Sequence, residues 1–253
     1  MPCEASAAPR FGAQILPAYF TGDFGSGVET RILYVPLILG LSSERHDLRI
    51  TIPYLSIRAE EPLTFVGGDV IGRGPRAVAA GPSTESGIGD VILKEEFYLA
   101  MGDGVRRPWV SVMGRVKVPT ADEKRGLGTG ELDYSPGVGL IQPLGSRWSL
   151  LAAMEYVIRG DPPDTELRNT LWGSAGVQVR PARVASIYLF YDHRQSVLSG
   201  REAIQELTLG YDHRVSDTVA FRSAIYYGLS DSAEDFGLSL GIAMKQKVRS
   251  REN

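Results

Sequence analysis

The feature that most constrains this chain is a two-residue alternation. Segments of about ten residues place apolar side chains at every second position and polar or small ones between, as in a strand whose two faces meet different surroundings. In Asp47 to Ile57 one row holds Leu48, Ile50, Ile52 and Tyr54, and the other holds Arg49, Thr51 and Pro53. Val110, Val112, Val116 and Val118 oppose Ser111, Arg115 and Lys117. Trp148, Leu150, Ala152, Met154, Tyr156 and Ile158 form an uncharged row, with Glu155 and Arg159 on the other parity. Leu167, Leu171, Ala175, Val177 and Val179 oppose Arg168, Thr170, Gln178 and Arg180. Leu207, Leu209 and Tyr211 oppose Glu206, Thr208, Asp212 and Arg214. Two segments depart from the rule. Glu95 shares the row of Leu93 and Phe97, and Ile32 to Leu41 is apolar on both parities.

Composition narrows the classes. The 253 residues are 43% hydrophobic and 23% charged, so the chain folds. The 29 glycines and 15 prolines punctuate it regularly, and no stretch shows a capped 3.6-residue period, so the reading is all-β. A formal charge of -3 offers no excess of positive charge to a polyphosphate, and nucleic acid is excluded as a partner. One cysteine and three histidines leave little with which to build a metal centre. No cofactor or metal is expected. No apolar run approaches the roughly 20 residues of a membrane-spanning helix. Residues 1–12 read as a disordered remnant of an export signal, with a cytosolic alanine-rich start as the alternative.

Alternation alone suits a soluble sandwich as well as a transmembrane barrel. Connection lengths separate them. Strands near 13–20, 30–41, 47–58, 90–101, 108–119, 131–143, 148–159, 166–180, 183–194, 203–214, 218–229 and 235–247 give about twelve, the even number of a bacterial barrel. Their connections alternate between tight turns and longer polar loops, as in barrels with short periplasmic turns and long external loops. The expected fold is one transmembrane up-and-down antiparallel β-barrel over 13–247, with outer-membrane lipid outside, a polar interior, and a basic tail at 248–253.

Tyr19 to Phe24 (YFTGDF), Leu48 to Leu55 (LRITIPYL), Ser86 to Leu93 (SGIGDVIL), Val116 to Ala121 (VKVPTA), Gly126 to Tyr134 (GLGTGELDY) and Tyr227 to Asp231 (YGLSD) carry a resemblance. Together they resemble the bacterial outer-membrane family labelled as transporters of the MetA pathway of phenol degradation. The most specific piece is Lys117, Pro119 and Thr120 followed by Gly126, Gly128, Thr129 and Gly130. The resemblance implies an outer-membrane barrel for small-molecule passage, with no catalytic residues. The chain departs from it in ending on a basic tail, where such barrels end on an aromatic residue.

The expected lumen residues are Arg49, Arg115, Lys117, Asp133, Glu155, Arg159, Arg168, Arg180, Glu206 and Asp212. Tyr54, Tyr134, Trp148, Tyr156, Tyr191 and Tyr211 are expected at the membrane interfaces. The apolar segment Leu63 to Ile71 lies in an otherwise polar connection from Ala59 to Gly89, so that connection should fold over the mouth as a constriction with Phe65, Arg73 and Arg76. A hairpin about Thr120 to Gly130 should set Lys117 opposite Asp133 and Arg115 opposite Ser135, and partial screening should leave that ion pair weak.

The repeated tetrapeptide YDHR, at Tyr191 to Arg194 and Tyr211 to Arg214, admits another reading. His193 with Ser196 could serve a membrane-embedded hydrolase. The bland reading puts the tyrosines at the interfaces and the Asp and Arg side chains in the lumen. The expected function is a passive or selective channel for small molecules, hydrophobic or aromatic compounds among them. A hydrolase and a non-conducting anchor are the alternatives.

Overall fold

The computed structural model describes residues 9–60, 63–66, 69–72, 83–162 and 166–247. In chain order the strands are β1 (Arg10–Ile15), β2 (Ala18–Gly22), β3 (Thr30–Ser42), β4 (His46–Ala59), β5 (Leu63–Val66), β6 (Asp69–Gly72), β7 (Ser83–Ile88) and β8 (Val91–Ala100). The remainder are β9 (Trp109–Val118), β10 (Asp133–Leu144), β11 (Trp148–Val157), β12 (Thr170–Ala182), β13 (Ala185–Arg194), β14 (Ile204–Arg214), β15 (Val219–Gly228) and β16 (Phe236–Lys247). All but β5 and β6 join one antiparallel sheet of 14 strands, and the pairing of β16 with β1 and β2 closes it. Two of its walls are interrupted strands: β1 continues into β2, and β7 into β8. The ring therefore has twelve positions, and the expected up-and-down barrel is the observed one.

Prolines account for the interruptions. Pro17, which has no N–H to donate, separates β1 from β2, and the Leu16 N–H donates to Pro36 O at 3.4 Å. Pro53 lies in β4 where β7 gives way to β8, and there the Gly89 N–H donates to Pro53 O at 2.8 Å. A Cβ on Gly89 would come within 2.8 Å of the Leu55 side chain, so any larger residue would have to displace Leu55.

The two environments of the wall explain the alternation. Leu150, Met154, Tyr156, Leu209 and Ile225 are exposed on the outer face, whereas Ser111, Lys117, Asp133, Ser149, Glu155 and Ser239 are buried on the inner one. The departures resolve as well. Glu95 does face outward, where His46 Nδ1 lies 2.8 Å from its Oε1. Ile32 to Leu41 is apolar on both parities because Ile32, Tyr34 and Pro36 face an apolar part of the lumen.

Three boundaries need correction. The wall starts at Arg10, three residues earlier than expected. Ala59 to Gly89 is not all connection, since Ser83–Ile88 pairs with Tyr54–Ala59 and extends the wall. Residues 166–169 are not strand. They pass inward over the mouth, where Leu167 is buried against Val66 and Val197. Arg168 is thereby exposed on the rim and does not line the lumen, contrary to expectation.

Candidate functional site

The long-loop mouth is crossed by a cap. The β5–β6 hairpin starts at the β3–β4 wall, where Leu63 and Phe65 pack with Phe24, Ile32, Leu55, Ile57 and Leu127. The Phe65 N–H donates to Gly126 O at 2.9 Å, which ties the hairpin to the β9–β10 loop. At its other end Val66 is buried with Leu167 and Val197, beside β12 and β13 on the opposite side of the ring. Apolar contacts hold both ends, as burial of an otherwise water-exposed apolar hairpin requires. Phe65 thus sits inside the mouth, while Arg73 and Arg76 lie outside the described residues.

Under the cap is a chamber of about 400 Å³ with two unlike walls. Phe20, Phe24, Ile32, Tyr34 and Phe65 line one side. The other presents Arg115, Lys117, Asp133, Glu155, Arg159, Arg194 and Glu206, with Ile92, Val157 and Trp172 set among them. The register expected for the β9–β10 hairpin is the observed one, with Asp133 opposite Lys117 and Ser135 opposite Arg115.

Lys117 Nζ lies 3.1 Å from Asp133 Oδ2 and 3.3 Å from Asp90 Oδ2, and it donates to Thr129 Oγ1 at 2.9 Å. Asp133 also meets Arg159 Nη1 at 3.3 Å and accepts the Gly160 N–H at 3.2 Å. Glu155, 1% exposed, receives Arg115 at 2.6 Å and Lys94 at 3.4 Å. The Lys117–Asp133 pair was expected to be screened and weak. It is buried instead, with side-chain exposures of 9% and 7%, because Asp90, Thr129 and Arg159 close around it.

The glycine-rich loop explains itself here. A Cβ on Gly128 would meet both Asp90 carboxylate oxygens within 2.8 Å, and Gly130 adopts φ +75°. Thr120 Oγ1 donates to Gly89 O and accepts the Val91 N–H, both at 2.9 Å. Residues 120–130 therefore fold back onto the interruption between β7 and β8, where Asp90 meets Lys117.

The remaining expected residues spread along the lumen. Glu206 accepts from Thr208 Oγ1 at 2.7 Å. Glu234, in the connection before β16, is held beside it, and burial with the Glu206 charge pushes the Glu234 carboxyl up to about 9. Asp212 lies 3.6 Å from Arg222. Arg49, held by Asp47 at 2.8 Å, and Arg180 occupy inward positions at the short-turn rim and are exposed there. Tyr54, Tyr134, Trp148, Tyr156, Tyr191 and Tyr211 all stand exposed on the outer face.

Residue reading missed Asp90, Thr129 and Glu234, which reach the lumen from interruptions or loops. It also missed the aromatic wall, although Phe20 and Tyr34 could have been found by their inward parity. The hydrolase pair is not assembled. His193 lies on the outer face, opposite Gly173 and Gln205, while Ser196 is buried in the following loop.

The family described as "Putative MetA-pathway of phenol degradation" matches residues 22–245. The chain belongs to this family. The resemblance drawn from the YFTGDF, VKVPTA and GLGTGELDY stretches is thereby borne out. An outer membrane channel from Pseudomonas putida F1 superposes with a TM-score of 0.74 at 14% identity, covering 97% of this chain and 99% of that one. The KdgM porin follows at 0.54 and 6% identity, covering 91% and 98%. The transport unit of the autotransporter AIDA-I from Escherichia coli gives 0.52 and 12%, covering 98% and 93%. These likenesses place the family member's fold among outer-membrane barrels. No curated protein matches.

Proposed function

We propose that this family member is an outer-membrane channel passing small organic molecules that combine an apolar face with a polar group. The two-walled chamber under the cap carries the reading. Its volume of about 400 Å³ falls within the range of small-molecule sites. A solute entering it exchanges water for aromatic surface on one side and hydrogen-bonding charges on the other. Small inorganic ions meet charges already paired to one another and gain less.

The passage involves no covalent step. In this reading the short-turn rim is periplasmic and the long-loop rim external. The inward charges act as the selectivity surface, the outer tyrosines and Trp148 mark the interfaces, and the cap is the constriction. Apolar contacts anchor both ends of the hairpin, so its displacement gates the mouth.

The cap also favours a second reading, a permanently closed barrel serving as an anchor. Planar-bilayer recordings separate the two. The channel reading expects small, intermittent conductance in wild type and a larger, steady one after Leu63–Gly72 is replaced by a short glycine linker. Absence of current from both proteins refutes it. In a Trp109→Phe/Trp148→Phe background only Trp172 of the three tryptophans remains, and it lines the chamber. Its emission should shift saturably with 4-hydroxybenzyl alcohol and not with glycerol.

A further inference from the structure

The two rims differ in charge. At the short-turn rim four of the five connections carry an exposed arginine: Arg45 between β3 and β4, Arg106 and Arg107 between β8 and β9, Arg147 between β10 and β11, and Arg183 between β12 and β13, whereas Arg214, beside the fifth, stands on the inward row. Acids are fewer on these connections. They are Glu44, Asp217 and Asp103, which accepts the backbone N–H groups of Val105, Arg106 and Arg107 at 2.7 to 2.9 Å. The long-loop rim, by contrast, mixes Asp23, Glu29, Asp122, Glu123, Asp161, Asp231 and Asp235 with its bases.

These basic residues are spread over four successive turns of the rim, from β3–β4 to β12–β13. Outward aromatic rings stand just inside this rim: Trp148 follows Arg147, and Phe11, Tyr211 and Phe221 are likewise exposed on the outer face. Passing along the wall toward this rim, apolar row, aromatic ring and arginine succeed one another. Hydrocarbon, carbonyl region and phosphate succeed one another in the same order across one bilayer leaflet.

We propose that the arginine ring is a docking belt for the phosphates of anionic phospholipids in the leaflet at the short-turn rim. The belt rests on the outer-membrane reading above but not on conduction. A protein partner would need charges concentrated where it sits. A ring of headgroups meets every turn equally, and the planar guanidinium suits phosphate oxygens in paired geometry.

The test uses the folded protein in neutral detergent micelles doped with phosphatidylglycerol or phosphatidylcholine, with retained lipid counted by native mass spectrometry. Each basic residue near an anionic lipid surface is worth roughly a fivefold preference. Wild type should retain phosphatidylglycerol over phosphatidylcholine, and the preference should fall as salt is raised. Replacing Arg106, Arg107, Arg147 and Arg183 together with Gln should remove at least about tenfold of it. Conductance, read separately, should persist in this variant. Equal retention of the two lipids by wild type, or an undiminished preference in the variant, overturns the belt. So does loss of co-sedimentation with peptidoglycan in the variant while its lipid preference stays intact, since that assigns the ring to cell-wall carboxylates. Absence of conductance with the lipid preference intact refutes the channel alone.

Discussion

Lys117 shows how one side chain can hold three elements. It reaches Asp90 from the break between β7 and β8, Asp133 from β10, and Thr129 from the β9–β10 loop. Lys117→Ala leaves two carboxylates buried together without their shared cation, and removing one partner of a buried pair costs about 3 to 5 kcal/mol. Urea unfolding in micelles should register that loss, and a change below about 1 kcal/mol would contradict the buried network. Asp133→Asn removes the negative charge but keeps the shape. It should shift selectivity toward anions in reversal-potential measurements, and adding Lys117→Ala should reverse the shift.

Asp103 makes a pH prediction at the same scale. Three backbone N–H bonds hold its carboxyl near 2, below the ordinary 3.8. A carboxyl lowered on folding stabilises the turn above the unfolded value, and that contribution disappears as pH falls through the folded one. The Met101–Pro108 turn should therefore loosen between about pH 4 and pH 2, visible as its Asp103 titration by NMR. A midpoint at 3.8 would mean that the amides do not hold it.

Among the elements, strands were legible and connections were not, for one physical reason. A strand's row meets one environment along its whole length, so Leu150, Ala152, Met154 and Tyr156 declare their face from sequence alone. Leu167 also carries an apolar side chain on an odd position, yet it turns inward because Val66 and Val197 wait there from distant parts of the chain. No local pattern encodes that meeting. The register of β9 on β10 was legible because the loop closes symmetrically, whereas the burial of its ion pair depended on Asp90, some 30 residues away by sequence. The contact that hid Leu167 also anchors the far end of the cap. Val197→Asp places a charge at a site 0% exposed and should detach that end. Trypsin should then cut within residues 60–82 sooner, and channel current should rise while heat-modifiable migration, the sign of an intact barrel, persists.

For the whole molecule, the outer surface makes the decisive claim. Ala152 lies mid-strand between Leu150 and Met154 on the outer row, paired across to Ala175. Ala152→Arg should cost roughly 2 to 4 kcal/mol in bilayers, because a charge near the midplane is expensive. Refolding yield into vesicles should drop, whereas an unchanged yield, or a monodisperse wild type without detergent, would show that no lipid covers this face.

Closure itself sets a schedule. The ring is sealed by β16 lying against β1 and β2, so the first wall segment, paired early with β3, finds its second partner only when the last one exists. Until then both carry unpaired backbone groups, an invitation to misassociate that a finished ring withdraws. The seam is also narrowed at Leu16 and Pro17, where Gly241 has no room for even a methyl group against Ile15 O and Leu16 Cα. Any chain halted before Phe236 is therefore an open ribbon that cannot wait safely in water. Delivery to the membrane must keep the beginning of this protein sheltered until its end arrives.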